Sequence, residues 1–274
     1  NYLILGYVEE GQRVNQGEAR YLRCDQVVLG VRYDWVEKNT TLGLEGFAKG
    51  YDGAPVSLNN GIALANLGAD FGVVGNEAVR FDGVGRAYGL EFLAQRRLYQ
   101  GVYGLLAYTY VRSEYEFNGD FKPSAWDSRH IVSMTGGAKL KRDWEVGVRW
   151  LYSGGLPFTP YDLDVSLDRV YWDVANVPQL DYARLNAGRN ASFSQLDLRI
   201  DKKWFFENWS LDVFMDVQNL FGQVADAPNA LAVVRDRATG EPIPDPVDPS
   251  RYQARFIGVN SGSAIPAIGL IVEL

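Results

Sequence analysis

Hydrophobic and charged residues alternate one by one over residues 192–222, SFSQLDLRIDKKWFFENWSLDVFMDVQNLFG. Before Glu207 and Asn208 the apolar positions carry even numbers, and after them they carry odd numbers. A period of two is typical of a β-strand that has one apolar face and one polar face. The segment therefore predicts two strands joined by a tight turn, and it raises the question of which face meets which solvent.

The same alternation recurs along the whole chain and predicts an all-β protein of ten strands. The predicted strands are 1–9, 20–36, 40–50, 84–98, 102–117, 129–142, 144–154, 192–206, 209–221 and 264–274. Tight connections alternate strictly with long ones. The tight ones are 37–40, 99–101, 142–143 and 207–208, and the long ones are 10–19, 51–83, 118–128, 155–191 and 222–263. In an up-and-down meander every second connection lies at the same end, so we expect all the turns at one end.

This asymmetry is typical of outer-membrane barrels, which have short periplasmic turns and long external loops. A tilted strand needs roughly 10 residues to cross the apolar band of the bilayer, and many of the predicted strands are that long. Alternation alone also fits a soluble barrel with an apolar interior. The pattern therefore leaves two environments possible for the apolar face: membrane lipid, or the interior of a soluble barrel.

The positions of charged residues and tryptophans indicate that the apolar faces contact lipid. The polar faces carry full charges in sequence, as at Asp197, Arg199 and Asp201. Amphipathic aromatic rings suit the headgroup layer, where they form girdles. Tryptophans lie close to the tight turns, at Trp35, Trp144, Trp204 and Trp209. We therefore predict a transmembrane antiparallel up-and-down β-barrel whose apolar faces contact lipid and whose charged faces line a wet lumen.

Composition narrows the function further. The chain has 274 residues, of which 47% are hydrophobic and 22% charged, as expected for a folded protein. Its net charge of -7 argues against a nucleic-acid partner, which requires a basic surface. Cys24 is the only cysteine and His130 the only histidine, which excludes an internal disulfide and a multi-histidine zinc site. We expect no cofactor.

Six stretches resemble, in order and spacing, the C-terminal half of a TonB-dependent outer-membrane receptor of the kind common in Bacteroidota. They are GRAYGLEFLAQRRL (85–98), GLLAYTYVRSEYEF (104–117), SAWDSRHIVSMTGGAKLKRDWEVGVRWLYSGGLPFTPYD (124–162), FSQLDLRIDKKW (193–204), DVFMDVQNLFG (212–222) and IPAIGLIVEL (265–274). One departure is that the family usually ends on an aromatic residue, whereas this chain ends at Leu274.

The resemblance implies a 22-stranded barrel, of which residues 1–274 would form the last ten strands as part of one transmembrane domain. It also implies a plug domain and a TonB box upstream, outside this chain, and energised import of a ligand that the external loops bind. The implied partners are that plug and the rest of the barrel, the TonB complex, and outer-membrane lipid and lipopolysaccharide. Other outer-membrane proteins or surface lipoproteins are further candidates.

The candidate site residues fall into three groups. Polar residues expected to face the lumen are Glu45, Lys49, Glu91, Glu145, Arg149, Arg199, Lys203 and Asp216. Large rigid rings dominate recognition surfaces, and the loop aromatics expected to bind ligand are Trp126, Tyr161, Tyr171, Trp172 and Tyr182. No metal site is predicted. The weak candidates for calcium are four carboxylates of one loop, which match no EF-hand spacing: Asp162, Asp164, Asp168 and Asp173.

Two other functions remain open. A structural or docking barrel in an outer-membrane assembly would use the same fold without transport. An omptin-like protease is a ten-stranded barrel with an Asp–His pair at its rim, and His130 has Asp127 and Arg129 as near neighbours. The protease requires an Asp within hydrogen-bond reach of His130, and we expect no enzyme. A barrel that is only part of a larger one also predicts that 1–9 pairs with 20–36 and that the two terminal strands do not pair with each other.

Overall fold

The computed structural model describes residues 2–66, 76–224, 227–258 and 262–274, and most of them lie in β-strands. In chain order the elements are α1 (Tyr2–Leu5), β1 (Val8–Glu9), β2 (Gln12–Arg13), β3 (Arg23–Trp35), β4 (Thr40–Ser57), β5 (Val79–Tyr99), β6 (Val102–Phe117), β7 (Asp120–Pro123), β8 (Arg129–Lys139), β9 (Trp144–Ser153), β10 (Pro157–Phe158), α2 (Leu163–Ser166), α3 (Arg169–Ala175), β11 (Gly188–Arg189), β12 (Phe193–Phe205), β13 (Ser210–Gln218), β14 (Ala230–Val233), β15 (Ala254–Ile257) and β16 (Ile265–Glu273). No helix in these ranges is long and apolar enough to cross a bilayer.

Nine long strands form one antiparallel sheet, in the order β16-β13-β12-β9-β8-β6-β5-β4-β3, and β7 pairs with β6 beside this path. Each long strand pairs with the long strand before it in the chain. The sheet is therefore an up-and-down meander, as predicted, although it has nine such strands instead of ten.

The register gives the sheet one apolar and one polar face. Leu198 stands opposite Val148, which stands opposite Gly136, whereas Arg199 stands opposite Asp216. Since side chains alternate between faces, each strand keeps its apolar set on one side. The predicted partition is confirmed: one face, here called the apolar face, carries Leu198, Val213, Val146, Val148 and Leu270. The other, here called the polar face, carries Arg199, Asp212, Glu145 and Arg149.

The prediction of a strand at residues 1–9 is wrong. Tyr2–Leu5 is a helix, and Val8–Glu9 pairs only with Gln12–Arg13, around a turn in which Glu10 and Gly11 have positive φ. The predicted pairing of this segment with β3 is therefore also wrong.

Tertiary contacts explain the difference. Ile4 is buried in a cluster with Leu64, Val79 and Phe81. The buried side chain of Asn15 donates to the Ile4 and Glu77 carbonyls and accepts from the Val79 amide. Ile4, with Leu5 beside it, thus packs against one end of the sheet.

The tight turns share one end of the sheet and the long connections the other. Trp35 is paired with Thr40, Thr40 with Arg96, and Arg96 with Gly104, so the turns at 36–39 and 100–101 are neighbours. The same ladder continues through Gly136 to the turns that precede β9 and β13. The prediction that 37–40 and 155–191 lie at opposite ends is confirmed.

The long connections are more ordered than the alternation predicted. β4 continues to Ser57 and β5 begins at Val79, which shortens the predicted loop 51–83, and β7 folds back onto β6. β3 and β16 end the sheet on either side, and each has one pairing partner among the residues described. The predicted absence of pairing between the terminal segments holds, because β16 pairs with β13 and not with residues 1–9.

Candidate functional site

The polar face brings the eight predicted lumen residues onto one side of the sheet. Seven of the eight stand opposite another charged residue in the register, in five pairs: Glu45–Glu91, Glu145–Asp201, Arg149–Asp197, Arg199–Asp216 and Lys203–Asp212. Lys49 lies on the same face, four residues along β4 from Glu45. That this face lines a lumen stays a prediction.

Four of these eight residues have an ion pair: Glu145, Arg149, Arg199 and Lys203. Arg199 lies 2.6 Å from Asp201 and its guanidinium lies 3.9 Å from the Phe214 ring centroid. Arg149 lies 3.7 Å from Asp197, and the Lys203 ammonium lies 2.5 Å from Glu273. The other four have no ion pair in the part of the chain that the structure describes; of these, Lys49 lies over the Phe47 ring and Asp216 accepts from the Gln218 side chain.

At the end that carries the long connections, two of them fold together. Leu167 and α3 of the first segment, 155–191, pack on β14 and Tyr252 of the second, 222–263, and the isolated bridge Asp168–Arg251 joins the two segments. A buried hydrophobic cluster forms their core, with Tyr161 against it: Leu167, Trp172, Leu231, Val233 and Tyr252. We call this pair of segments the loop cap.

Three of the five predicted ligand aromatics pack in hydrophobic clusters, and a fourth, Tyr171, has a hydrogen bond within its loop. Trp172 is only 5% exposed and lies in the core of the loop cap beside Tyr161. Tyr171 donates its hydroxyl to Gln179 Oε1 at 3.2 Å. Tyr182 packs on a cluster that contains Phe117, and this burial raises the pKa of its phenol.

Trp126 is the exception. It is 59% exposed at the same end of the sheet, in the connection between β7 and β8. Among the five aromatics it therefore offers the most surface to a ligand, while Trp172 offers almost none.

The four calcium candidates have structural partners instead. Asp162 accepts from the amides of Asp164 and Val165 as the N-cap of α2, and Asp168 caps α3 through the Tyr171 amide. Asp164 lies 2.9 Å from Arg251, and Asp173 accepts the Tyr252 hydroxyl at 2.8 Å. The described ranges contain no group of three or more acidic, His or Cys residues arranged for a metal.

The sequence did not predict a buried cluster of charged residues around Asp127. Asp127 is fully buried, accepts from the Ser113 amide at 3.0 Å, and lies 2.7 Å from Arg189. Arg189 also donates to the Gly155 carbonyl at 2.6 Å. Arg112 bridges Asp127 to a second buried carboxylate, Glu114. The motif WDSRH is the only local signal of this cluster, since Arg189 comes from 62 residues away.

His130 has aromatic partners. Its Nδ1 lies 2.9 Å from the Tyr108 hydroxyl, and its ring lies 5.3 Å from that of Tyr110. Its place opposite Tyr110 puts it on the apolar face. Within the described residues no Asp forms a hydrogen bond or ion pair with His130, so the geometry that an omptin-like protease requires is not formed.

Comparisons with solved structures identify the fold. Of this chain, 98% matches the ferric-catecholate import receptor Fiu from Escherichia coli K12, with a TM-score of 0.57 and 12% sequence identity. The chain matches the ferripyoverdine receptor of Pseudomonas aeruginosa over 75% (TM-score 0.53, 14% identity) and the ferric yersiniabactin uptake receptor FyuA of Yersinia pestis over 92% (0.52, 13%). The chain folds as a section of an outer-membrane receptor barrel.

The receptor-barrel fold bears out the resemblance to TonB-dependent receptors that the sequence motifs indicated. The chain spans 30% of Fiu, 24% of the ferripyoverdine receptor and 30% of FyuA. No protein-family model and no curated protein matches the sequence. The likeness is therefore one of architecture at low sequence identity.

Proposed function

We propose that this chain is a membrane-spanning section of an outer-membrane receptor and transporter. In this proposal residues 1–274 belong to one barrel domain, the loop cap faces the outside, and the polar face lines the lumen. Import is driven through TonB and a plug domain, with no covalent chemistry. The observation that supports the proposal most directly is the division of nine long strands into one charged and one apolar face.

The apolar face also has the dimensions of a bilayer. Trp144 lies at its tight-turn end and Tyr152 near its other end, and both are on the same face of β9. Eight residues span about 27 Å along a strand, and a tilt of about 40° reduces this to about 20 Å across the membrane. Tyr108 and Tyr110 lie in register with this second aromatic level. Paired aromatic levels are typical of the two interfaces of an outer-membrane barrel.

Open edges support a larger barrel. Among the residues that the structure describes, β3 and β16 each have one pairing partner, and all 13 residues of β3 are exposed. An unpaired backbone group in hydrocarbon costs several kcal/mol, so a sheet in lipid must close. We therefore propose that further strands of the same protein complete the barrel, up to the 22 that the resemblance implies.

Ferric chelates are the first ligands to test, because the similar receptors are named for them. Full-length protein in cells should take up a ferric siderophore, and loss of TonB or of the proton gradient should abolish that uptake. Trp126→Ala should weaken binding of the chelate, whereas Trp172→Ala should act only through the fold of the loop cap.

Sidedness tests the membrane position directly. In a Cys24→Ser background, a cysteine placed at Val247, which is 91% exposed in the loop cap, should react with an impermeant maleimide on intact cells. A cysteine at Asn208 in a tight turn should react only after lysis. Reaction of both on intact cells would contradict the proposed orientation.

A docking barrel without transport is the second candidate. The loop cap favours it, because three of the predicted ligand aromatics pack in hydrophobic clusters and the cap has its own buried core. Binding of a chelate without TonB-dependent uptake, together with co-purification of another outer-membrane protein, is the result expected for docking.

A further inference from the structure

A groove crosses the apolar face close to the tight turns. It has a volume of about 520 Å³ and extends over β5, β6, β8 and β9. Gly104 and Gly136 stand opposite each other in the register and form its floor. Its walls are apolar side chains: Leu106, Met134, Val146 and Val148.

The fold does not require a glycine at position 104, whereas a Cβ on Gly136 would lie 3.0 Å from the Tyr103 carbonyl oxygen. Gly104 has none of the positive φ values that favour glycine, and a Cβ there would meet the Thr135 carbonyl oxygen at 3.4 Å and Gly136 Cα at 3.6 Å. These are ordinary contacts. A glycine in a strand otherwise weakens it, and it often marks a place where a ligand approaches the backbone closely.

A cation with an unused donor lies at the end of the groove nearest the turns. Arg96 stands opposite Gly104 and lines the groove. Its guanidinium donates to the Tyr99 carbonyl at 3.3 Å and lies 5.1 Å from the Tyr99 ring centroid. Its Nε is buried without a hydrogen-bond partner, and no carboxylate within the described ranges pairs with Arg96. An anionic group at the groove end would meet an uncompensated charge.

Other cations lie at the same end of the apolar face. The Lys38 ammonium lies 5.0 Å from the Trp35 ring centroid, and the Lys202 ammonium lies 5.1 Å from that of Trp204. Cations beside interfacial aromatics attract anionic headgroups, while an apolar groove suits an acyl chain.

We propose that this groove is a specific site for an anionic phospholipid of the leaflet at the tight-turn end. One acyl chain lies over Gly104 and Gly136, and the phosphate lies at Arg96. The inference rests on the proposed membrane position, and it adds a resident lipid that neither import nor docking requires.

Photolabelling tests the site. The full-length protein is inserted into phosphatidylcholine vesicles that contain phosphatidylglycerol with a diazirine in its acyl chain, and labelled peptides are located by mass spectrometry. Label should concentrate at residues 102–106 and 134–138. Gly104→Leu fills the groove and should remove most of this label. Gly46→Leu is the matched control, because Gly46 lies on the same face, opposite Leu29 and Leu90, where a Cβ meets nothing closer than 3.4 Å.

The headgroup is tested separately. Arg96→Gln should lower the preference for labelled phosphatidylglycerol over labelled phosphatidylcholine about fivefold, the effect expected of one cation at a charged membrane surface. Lys38→Gln, at the same membrane level but outside the groove, should leave this preference at the groove peptides unchanged.

The outcomes separate this inference from the proposed function. Uniform label around an inserted barrel, or label that survives Gly104→Leu, overturns the lipid site while the membrane assignment stands. Equal labelling by both lipids overturns the role of Arg96. Crosslinks between two protein copies through the groove identify a second copy as the occupant instead. A protein that stays outside the vesicles refutes the membrane position itself.

Discussion

Single residues decide how the long connections are fixed to the sheet. Asp127 is the clearest case, because it is fully buried and lies within 4 Å of three arginines, Arg112, Arg129 and Arg189. Removing one partner from a buried ionic group leaves the others without compensation. The carboxylate thus joins the start of β8 to the segment that returns to β12.

Asp127→Ala should destabilise this junction by about 3 kcal/mol, toward the lower end for a buried pair because the arginines are partly exposed. Cleavage of residues 155–191 by protease in reconstituted protein measures the effect. Asp120→Ala removes an exposed carboxylate 3.3 Å from Lys122 and should cost less than about 1 kcal/mol. Equal protease sensitivity of the two variants would contradict the role of Asp127.

Acid should loosen the long connections in a definite pH range. A hydrogen bond from Arg184 lowers the pKa of Asp181, and one from the Thr239 amide lowers the pKa of Asp236. Because the folded pKa lies below the unfolded one, the stabilisation is present above about pH 4 and is lost as pH falls through the folded pKa. The protection factor of the Thr239 amide, which is the exchange rate of an unstructured peptide at the same pH divided by the rate at this amide, should therefore decrease below about pH 4.

Asp236→Asn is the matched variant for this pH effect. Asn keeps an acceptor for the Thr239 amide but does not titrate, so the protection factor of that amide should no longer change with pH. An unchanged pH profile in the variant would assign the effect to another group.

At the scale of the strands, two aromatic side chains of the polar face lie beside glycines of the neighbouring strand. Phe214 stands opposite Gly269, and a Cβ on Gly269 would lie 2.1 Å from the Phe214 ring. Tyr103 stands opposite Gly137 in the same way. Each ring lies across a neighbouring glycine, an arrangement known to support glycines in sheets. The polar face therefore keeps its charges while large rings lie flat between strands.

Charge on the apolar face should be costly in proportion to depth. Val148 lies midway between Trp144 and Tyr152, so Val148→Arg should destabilise the barrel in lipid by about 2–4 kcal/mol. Val213 stands opposite Lys202 and close to a turn, so Val213→Arg should cost about 0–1 kcal/mol. Folding titrations in lipid vesicles measure both values.

Ser133→Arg is the control that places the same charge on the other face of the sheet, because Ser133 stands opposite Leu151 and Ala107 on the polar face. It should cost less than Val148→Arg. If the two variants are equally destabilised, the apolar face does not contact lipid.

At the scale of the whole molecule, the sheet and the loop cap have separate cores. Most large apolar side chains of the sheet are exposed on the apolar face, whereas the cap buries Leu167, Trp172 and Tyr252 together. The sheet is held mainly by its ladder of backbone hydrogen bonds, and the cap by apolar burial. The two should therefore lose structure independently.

Trp172→Ala tests this separation. Removing the ring should destabilise the cap by about 3–5 kcal/mol, which makes residues 155–191 and 222–263 sensitive to protease. The heat-modifiable gel mobility of the barrel should not change. Trp126→Ala, an exposed tryptophan at the same end, should leave the protease pattern as in the parent protein. Loss of both cap and barrel in Trp172→Ala would show a single cooperative unit.

The sequence by itself determined the strands, their faces and the end at which the turns lie. Alternation within a strand assigns each side chain to a face, whichever strand becomes its neighbour. All eight predicted lumen residues share one face for that reason. Contacts between distant segments decided the rest. Residues 1–9 alternate like a strand, yet Ile4 packs against Leu64, Val79 and Phe81, and Asn15 hydrogen-bonds to Val79. Trp172 is buried by residues about 60–80 positions later, and Asp127 meets Arg189 only in the fold. Contacts between such distant segments leave no periodic pattern in the sequence, so a single sequence does not predict them.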